Sequence, residues 1–98
     1  MSLALDRAYR LSPRAALRDE PFGALAYHYD NRRLVFLKSR ALVALVRDLD
    51  RHPTLDAALS EHARNEARAA YLLAAEQLER AEIILEREED HGRERLIA

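Results

Sequence analysis

Residues 20–42 read EPFGALAYHYDNRRLVFLKSRAL, with apolar, strand-like runs over 24–29 and 33–38 on either side of Asp30 and Asn31. Asp and Asn tolerate the left-handed backbone of a tight turn, so the pattern predicts a β-hairpin. A two-residue turn there sets Tyr29 against Arg32, Tyr27 against Leu34 and Leu25 against Phe36. The bulky side chains then share one face, which is the expected core face. The other face carries Ala24, Ala26, His28, Arg33, Val35 and Leu37, a smaller and mixed set that still looks too apolar to stay uncovered.

Pro13 and the Glu20-Pro21-Phe22-Gly23 punctuation bracket residues 14–19, which are expected to form a first strand running antiparallel to 24–29. The result is a three-stranded meander with 33–38 as its third strand, at an edge. Ser39 follows at once and is a good helix N-cap. Over 40–51, Leu42, Leu45, Val46 and Leu49 make an amphipathic stripe that His52-Pro53 ends. Thr54 caps a short second helix over 55–62, with Leu55, Ala58 and Leu59 apolar and Asp56 favourable near its N-terminus.

Beyond Ala63 an apolar seam of Ala67, Tyr71, Ala74, Leu78, Ala81 and Leu85 repeats at spacings of four and three. That seam permits one helix as far as about Asp90, or a helix over 63–81 followed by a weakly structured tail. Three strands followed by three helices is the element order of an α+β, winged helix-turn-helix-like fold with the strands leading. Residues 1–13 read as an N-terminal arm, 14–87 as the domain and 88–98 as a charged tail.

Ninety-eight residues suffice for one core. The net charge of -1 offers no bulk attraction for nucleic acid or anionic lipid, so a partner must be recognised by shape and local contacts. The absence of cysteine excludes disulfides, thiolate zinc sites, iron–sulfur ligation and thiol nucleophiles. No run approaches the ~20 apolar residues of a membrane helix, and the N-terminus shows no signal-length apolar run, so the expected location is cytoplasmic.

Candidate chemistry is sparse. His28, His52, His62 and His91 occur in no H-x-x-x-H, H-E-x-x-H or H-x-H pattern, so no metal site is expected. His28, on the mixed face, is a candidate partner contact. Ser39 and Thr54 are explained as caps, and no serine lies in a G-x-S-x-G elbow. With no phosphate-binding glycine loop either, the sequence reads as non-enzymatic and without a cofactor. The predicted third helix sets Arg64, Arg68 and Arg80 against Glu66, Glu76 and Glu79, a balance unsuited to DNA. The basic cluster of Arg32, Arg33, Lys38 and Arg40 lies around the edge strand, where it either discourages aggregation or steers an acidic peptide.

The wording of the hairpin, with Pro21-Phe22-Gly23-Ala24-Leu25, Tyr27-His28-Tyr29, Arg32-Arg33-Leu34 and Phe36-Leu37-Lys38 in order, resembles the MftB family of mycofactocin biosynthesis. Behind that family stands the PqqD-like class of peptide-recognition domains. The resemblance implies that Ile83-Ile84-Leu85 form a short extended piece, which ends the third helix near Ala81. It also implies a leader peptide laid along the third strand and held by the third helix. On this basis the expected peptide-binding residues are Arg33, Leu34, Val35, Phe36, Leu37, Lys38, Tyr71, Leu72, Ala75 and Leu78. The implied partners are the leader of an MftA-like precursor peptide and an MftC-like radical-SAM maturase, which would supply the cofactors and the chemistry. The mixed sheet face bearing Ala26, His28 and Val35 is the expected contact for that enzyme. Self-association through the edge strand or the 67–85 seam, including a homodimer, is the competing reading, and DNA binding a second.

Overall fold

The computed structural model describes residues 3–63 and 65–87. The fold is mixed α+β. A short strand β1 (Tyr9–Leu11) precedes three strands, β2 (Ala15–Glu20), β3 (Gly23–His28) and β4 (Leu34–Leu37). Helices α1 (Arg40–Asp48), α2 (Leu55–His62) and α3 (Asn65–Arg80) follow, and β5 (Ile84–Glu86) closes the described chain. A 3-10 turn, Leu49–Arg51, extends α1.

The sheet is the expected meander, in the order β2-β3-β4, with β4 at an edge. Its register is also as expected, with Leu25 opposite Phe36 and Tyr27 opposite Leu34. The assignment of faces is reversed. Ala24, Ala26, His28 and Leu37 are buried, whereas Leu34 and Phe36 are 58% and 57% exposed and Tyr29 is half exposed. The smallness of Gly23, Ala24 and Ala26 explains the inversion. With little side chain in the way, α1 sits close to β3 and buries its Leu42, Val43, Leu45 and Val46 in the core. The mixed face is therefore covered by the chain's own helix. It is not available to an enzyme, and His28 is not a surface contact.

The hairpin turn differs in detail as well. Its left-handed residue is Arg32, at φ 62°, rather than Asp30 or Asn31. His28 N–H donates to Arg33 O and Arg32 N–H to His28 O, so the loop spans four residues. His28 Nδ1 accepts from the backbone N–H of Asp30 (3.1 Å) and of Asn31 (3.3 Å), and Asn31 Oδ1 accepts from Arg33 N–H. The buried imidazole is thus a turn scaffold.

The helices start where their caps predict. Ser39 Oγ accepts from Leu42 N–H, and Thr54 Oγ1 from Ala57 N–H. Three N-terminal donors of α2 that have no acceptor within the helix are satisfied from outside it: Leu55 by Arg7 O, Asp56 by Leu5 O and Ala57 by the Thr54 side chain. The helical stripe is borne out in full, since Leu42, Leu45, Val46, Leu49, Leu55, Ala58 and Leu59 are all buried.

α3 stops at Arg80 because Glu82 turns left-handed (φ 63°), with Glu82 N–H bonded to Glu79 O and Ile83 N–H to Leu78 O. Ile83 and Ile84 are then fully buried. The extended piece implied by the family resemblance is β5. It pairs antiparallel with β1, Arg10 opposite Leu85, an association that no local pattern announced. Ser12 N–H to Ile83 O and Arg87 N–H to Ala8 O extend that pairing at its two ends. The charged tail expected at 88–98 lies outside the described residues.

Candidate functional site

The open edge of β4 is the feature around which a site can be built. His28 N–H meets Arg33 O at 3.0 Å, and antiparallel alternation then turns the backbone of Val35 and Leu37 toward β3. By the same alternation, the N–H and C=O groups of Leu34 and Phe36 point away from β3, and no strand pairs them among the described residues. The strand proper is four residues, shorter than the six of the expected 33–38 run.

The side chains of Leu34 and Phe36 belong to the uncovered outer face of the sheet. Phe22 packs on Phe36 with ring centroids 5.7 Å apart, and Tyr27 meets Tyr29 edge-on at 5.4 Å. Leu25 lies between, partly covered, next to Phe36 on the neighbouring strand. Backbone donors, backbone acceptors and apolar side chains are therefore offered by the same two residues. That combination suits a segment that adds a strand and places alternate side chains on an apolar strip.

Helix α3 runs beside β4 in the opposite direction and is fastened near both ends of that strand. At one end Ser39 Oγ and the Tyr71 hydroxyl are 3.0 Å apart. At the other, the Arg33 guanidinium donates to Arg80 O at 3.0 Å, and Asn31 Nδ2 donates to Ala81 O at 3.0 Å. The latter two are carbonyls at the C-terminus of α3, where cations and donors are favourable.

The expected site residues divide into groups. Arg33, Leu34, Phe36 and Lys38 are exposed, and Val35, Tyr71 and Leu72 are partly buried around the edge. Leu37, Ala75 and Leu78 are core residues. Of the basic cluster, Arg33 is used in holding α3, while Arg32, Lys38 and Arg40 are exposed near the two ends of β4.

One constellation was missed. Asp48 Oδ2 lies 2.8 Å from His62 Nε2 and 3.1 Å from His52 Nε2, with all three side chains partly buried. Hydrogen bonds from His62 and His52 hold the Asp48 carboxyl below its usual range. Asp48 and His52 are four residues apart, but His62 arrives from α2, so only the pair was visible. The Asp30 carboxyl is likewise held low, by a two-pronged hydrogen bond from Arg14 at 2.6 and 2.8 Å. A shallow depression of about 430 Å³ lined by Asp19, Glu20, Pro21, Gly23, Arg40 and Val43 contains no nucleophile paired with a base. No helix of the described residues is long and apolar enough to cross a membrane.

A proteins-of-one-family profile, that of the peptide chaperone MftB family, matches residues 8–85. The peptide chaperone MftB of Mycobacterium ulcerans (strain Agy99) is 48% identical over 65 residues, covering 59% of this chain and 60% of the relative. That of Mycobacterium tuberculosis (strain ATCC 25618 / H37Rv) is 49% identical over 53 residues, covering 54% and 49%. That of Mycolicibacterium smegmatis (strain ATCC 700084 / mc(2)155) is 48% identical over 54 residues, covering 55% and 53%. The chain thus spans about half to three-fifths of the length of these relatives. No solved structure matches it significantly. With the profile covering the sheet, all three helices and most of β5, the chain belongs to the peptide chaperone MftB family.

Proposed function

We propose that this chain is a non-catalytic peptide chaperone of mycofactocin biosynthesis. It captures the leader of an MftA-like precursor peptide as an added strand on β4 and presents it to an MftC-like radical-SAM maturase. The observation that carries this reading is the coincidence, at Leu34 and Phe36, of backbone that no strand pairs among the described residues with exposed apolar side chains at a sheet edge.

The energetics say what the peptide must bring. Two residues with open N–H and C=O groups offer at most four backbone bonds, each worth ~0.5–1.5 kcal/mol net. Micromolar affinity requires about 8 kcal/mol beyond the costs of association. Apolar anchors must make up the difference, at roughly 1.5–3 kcal/mol for each side chain fully buried. Leu34 and Phe36 with Phe22 provide one apolar strip, and Tyr71 and Leu72 of α3 the other wall. Ala75 and Leu78 meet a peptide only if α3 shifts from the sheet, since both are buried against the core. Arg32, Lys38 and Arg40 favour acidic residues flanking the paired segment.

Calorimetric titration with the synthetic leader of an MftA-like precursor peptide tests the reading. Saturable binding at micromolar or tighter affinity is expected, and it is lost when the leader's apolar residues are changed to Ala. No heat with the intact leader, in a chain that remains folded, overturns it.

A further inference from the structure

We infer that Asp48, His52 and His62 form a binding site for a divalent transition-metal ion of the zinc type, joining the end of α1 to the end of α2. One potential ligand atom from each of Asp48, His52 and His62 lies within 4.8 Å of the other two. The distances to Asp48 Oδ2, 2.8 and 3.1 Å, are already close to the separation of about 3.3 Å between ligands of a tetrahedral ion with bonds of ~2.0–2.1 Å. Two imidazoles and one carboxylate suit zinc, leaving a fourth position for water. The side chains are 17–25% exposed, so the cluster is reachable from solvent while its geometry is held by the fold.

That hold is specific. Asp48 is the last residue of α1, and His52 lies four positions on, past the 3-10 turn Leu49–Arg51. Arg87 donates to His52 O at 2.7 Å and also to Asp50 O, fixing the backbone that carries the imidazole. His62 ends α2, whose N-terminus Thr54 caps. The two rings stand nearly perpendicular with centroids 6.1 Å apart, so their nitrogens converge without the rings stacking. The Arg51 guanidinium lies 3.5 Å from the other oxygen, Asp48 Oδ1, and is largely exposed.

Loading the site exchanges the two hydrogen bonds on Asp48 Oδ2 for three metal bonds. A neutral imidazole moves its proton from Nε2 to Nδ1, and a charged one releases the Nε2 proton to solvent, so binding weakens with acidification. The ion then cross-links α1 and α2, two helices that pack on one another in the core.

The test uses the chain freed of any purification tag and of metal, titrated with Zn²⁺ by calorimetry and followed by thermal unfolding. One ion per chain is expected, with Tm raised by roughly 5 °C or more once the ion exceeds Kd about tenfold. Asp48→Asn and His62→Gln each lose more affinity than the roughly 10–100-fold typical of an outer-shell partner. Co²⁺ added to the unaltered chain is expected to give the intense visible absorption of a tetrahedral site, a readout that does not depend on the variants folding. The inference is overturned if Zn²⁺ produces no saturable heat and no Tm shift. It is equally overturned if folded variants bind as well as the unaltered chain, or if Co²⁺ gives only the pale octahedral spectrum.

Discussion

The Tyr71 hydroxyl lies 3.0 Å from Ser39 Oγ, and the same Ser39 oxygen accepts from Leu42 N–H. One side chain therefore joins the end of β4, the start of α1 and the flank of α3. Ser39→Ala removes an N-cap worth about 0.5–2 kcal/mol. Tyr71→Phe removes a hydrogen bond worth about 0.5–1.5 kcal/mol. In a double-mutant cycle followed by urea unfolding, the two are expected to be non-additive by about 0.5 kcal/mol or more, because each variant deletes the same contact. Strict additivity would mean that the contact does not hold α3 to the strand.

Gly23 turns β2 into β3 at φ 148°, and a Cβ there would stand 2.1 Å from Leu37 O. The obstacle is backbone, so it cannot swing aside. Gly23→Ala is expected to destabilise the chain by about 3 kcal/mol or more, read as a lower midpoint in denaturant. An unchanged midpoint would contradict the close approach of this turn to the end of β4.

Proline separates the two sides of β4. Val35 N–H faces β3 and Phe36 N–H faces the open edge, by the alternation that begins at His28 and Arg33. Val35→Pro is expected to cost about 1–3 kcal/mol by leaving its partner on β3 unsatisfied. Phe36→Pro costs less stability but abolishes capture of the peptide. Normal binding by a folded Phe36→Pro variant would rule out strand addition at this edge.

The acid limb of stability reports on Asp48 and Asp30, both held below their ordinary value of 3.8, Asp48 by hydrogen bonds from His62 and His52 and Asp30 by its hydrogen bond from Arg14. A carboxylate with a lowered folded-state pKa contributes stability that is fully present above its unfolded pKa. That contribution is lost as pH falls through the folded value. Asp48→Asn and Asp30→Asn are therefore expected to flatten the fall in Tm below about pH 5, and to leave a smaller stability at neutral pH. An acid limb as steep as that of the unaltered chain would show that neither carboxylate is engaged in the folded state.

The existence of β2, β3 and β4, the hairpin register, the edge position and both helix caps were legible because each depends on neighbours in sequence: alternation, turn residues and an N-cap oxygen. The face of the hairpin was not. Tyr27, Leu34 and Phe36 outweigh Ala24 and Ala26 in hydrophobicity, and residue by residue the heavier side wins. The packed fold reverses this, because the small side admits α1 with Leu45 and Val46 already attached. The pairing of β1 with β5 and the convergence of His62 on Asp48 join residues far apart in sequence, and no local period carries them. The end of α3 was ambiguous in the seam alone, which continues through Leu85, and the left-handed Glu82 decides it.

Amide hydrogen exchange on the folded chain, free and saturated with leader peptide, addresses strand addition most directly. In the free chain the amides of Leu34 and Phe36 are expected to exchange fast, and those of Val35 and Leu37 slowly. On binding, Leu34 and Phe36 become protected while Val35 and Leu37 change little. Peptide that binds and leaves Leu34 and Phe36 exchanging as before would contradict capture at the β4 edge.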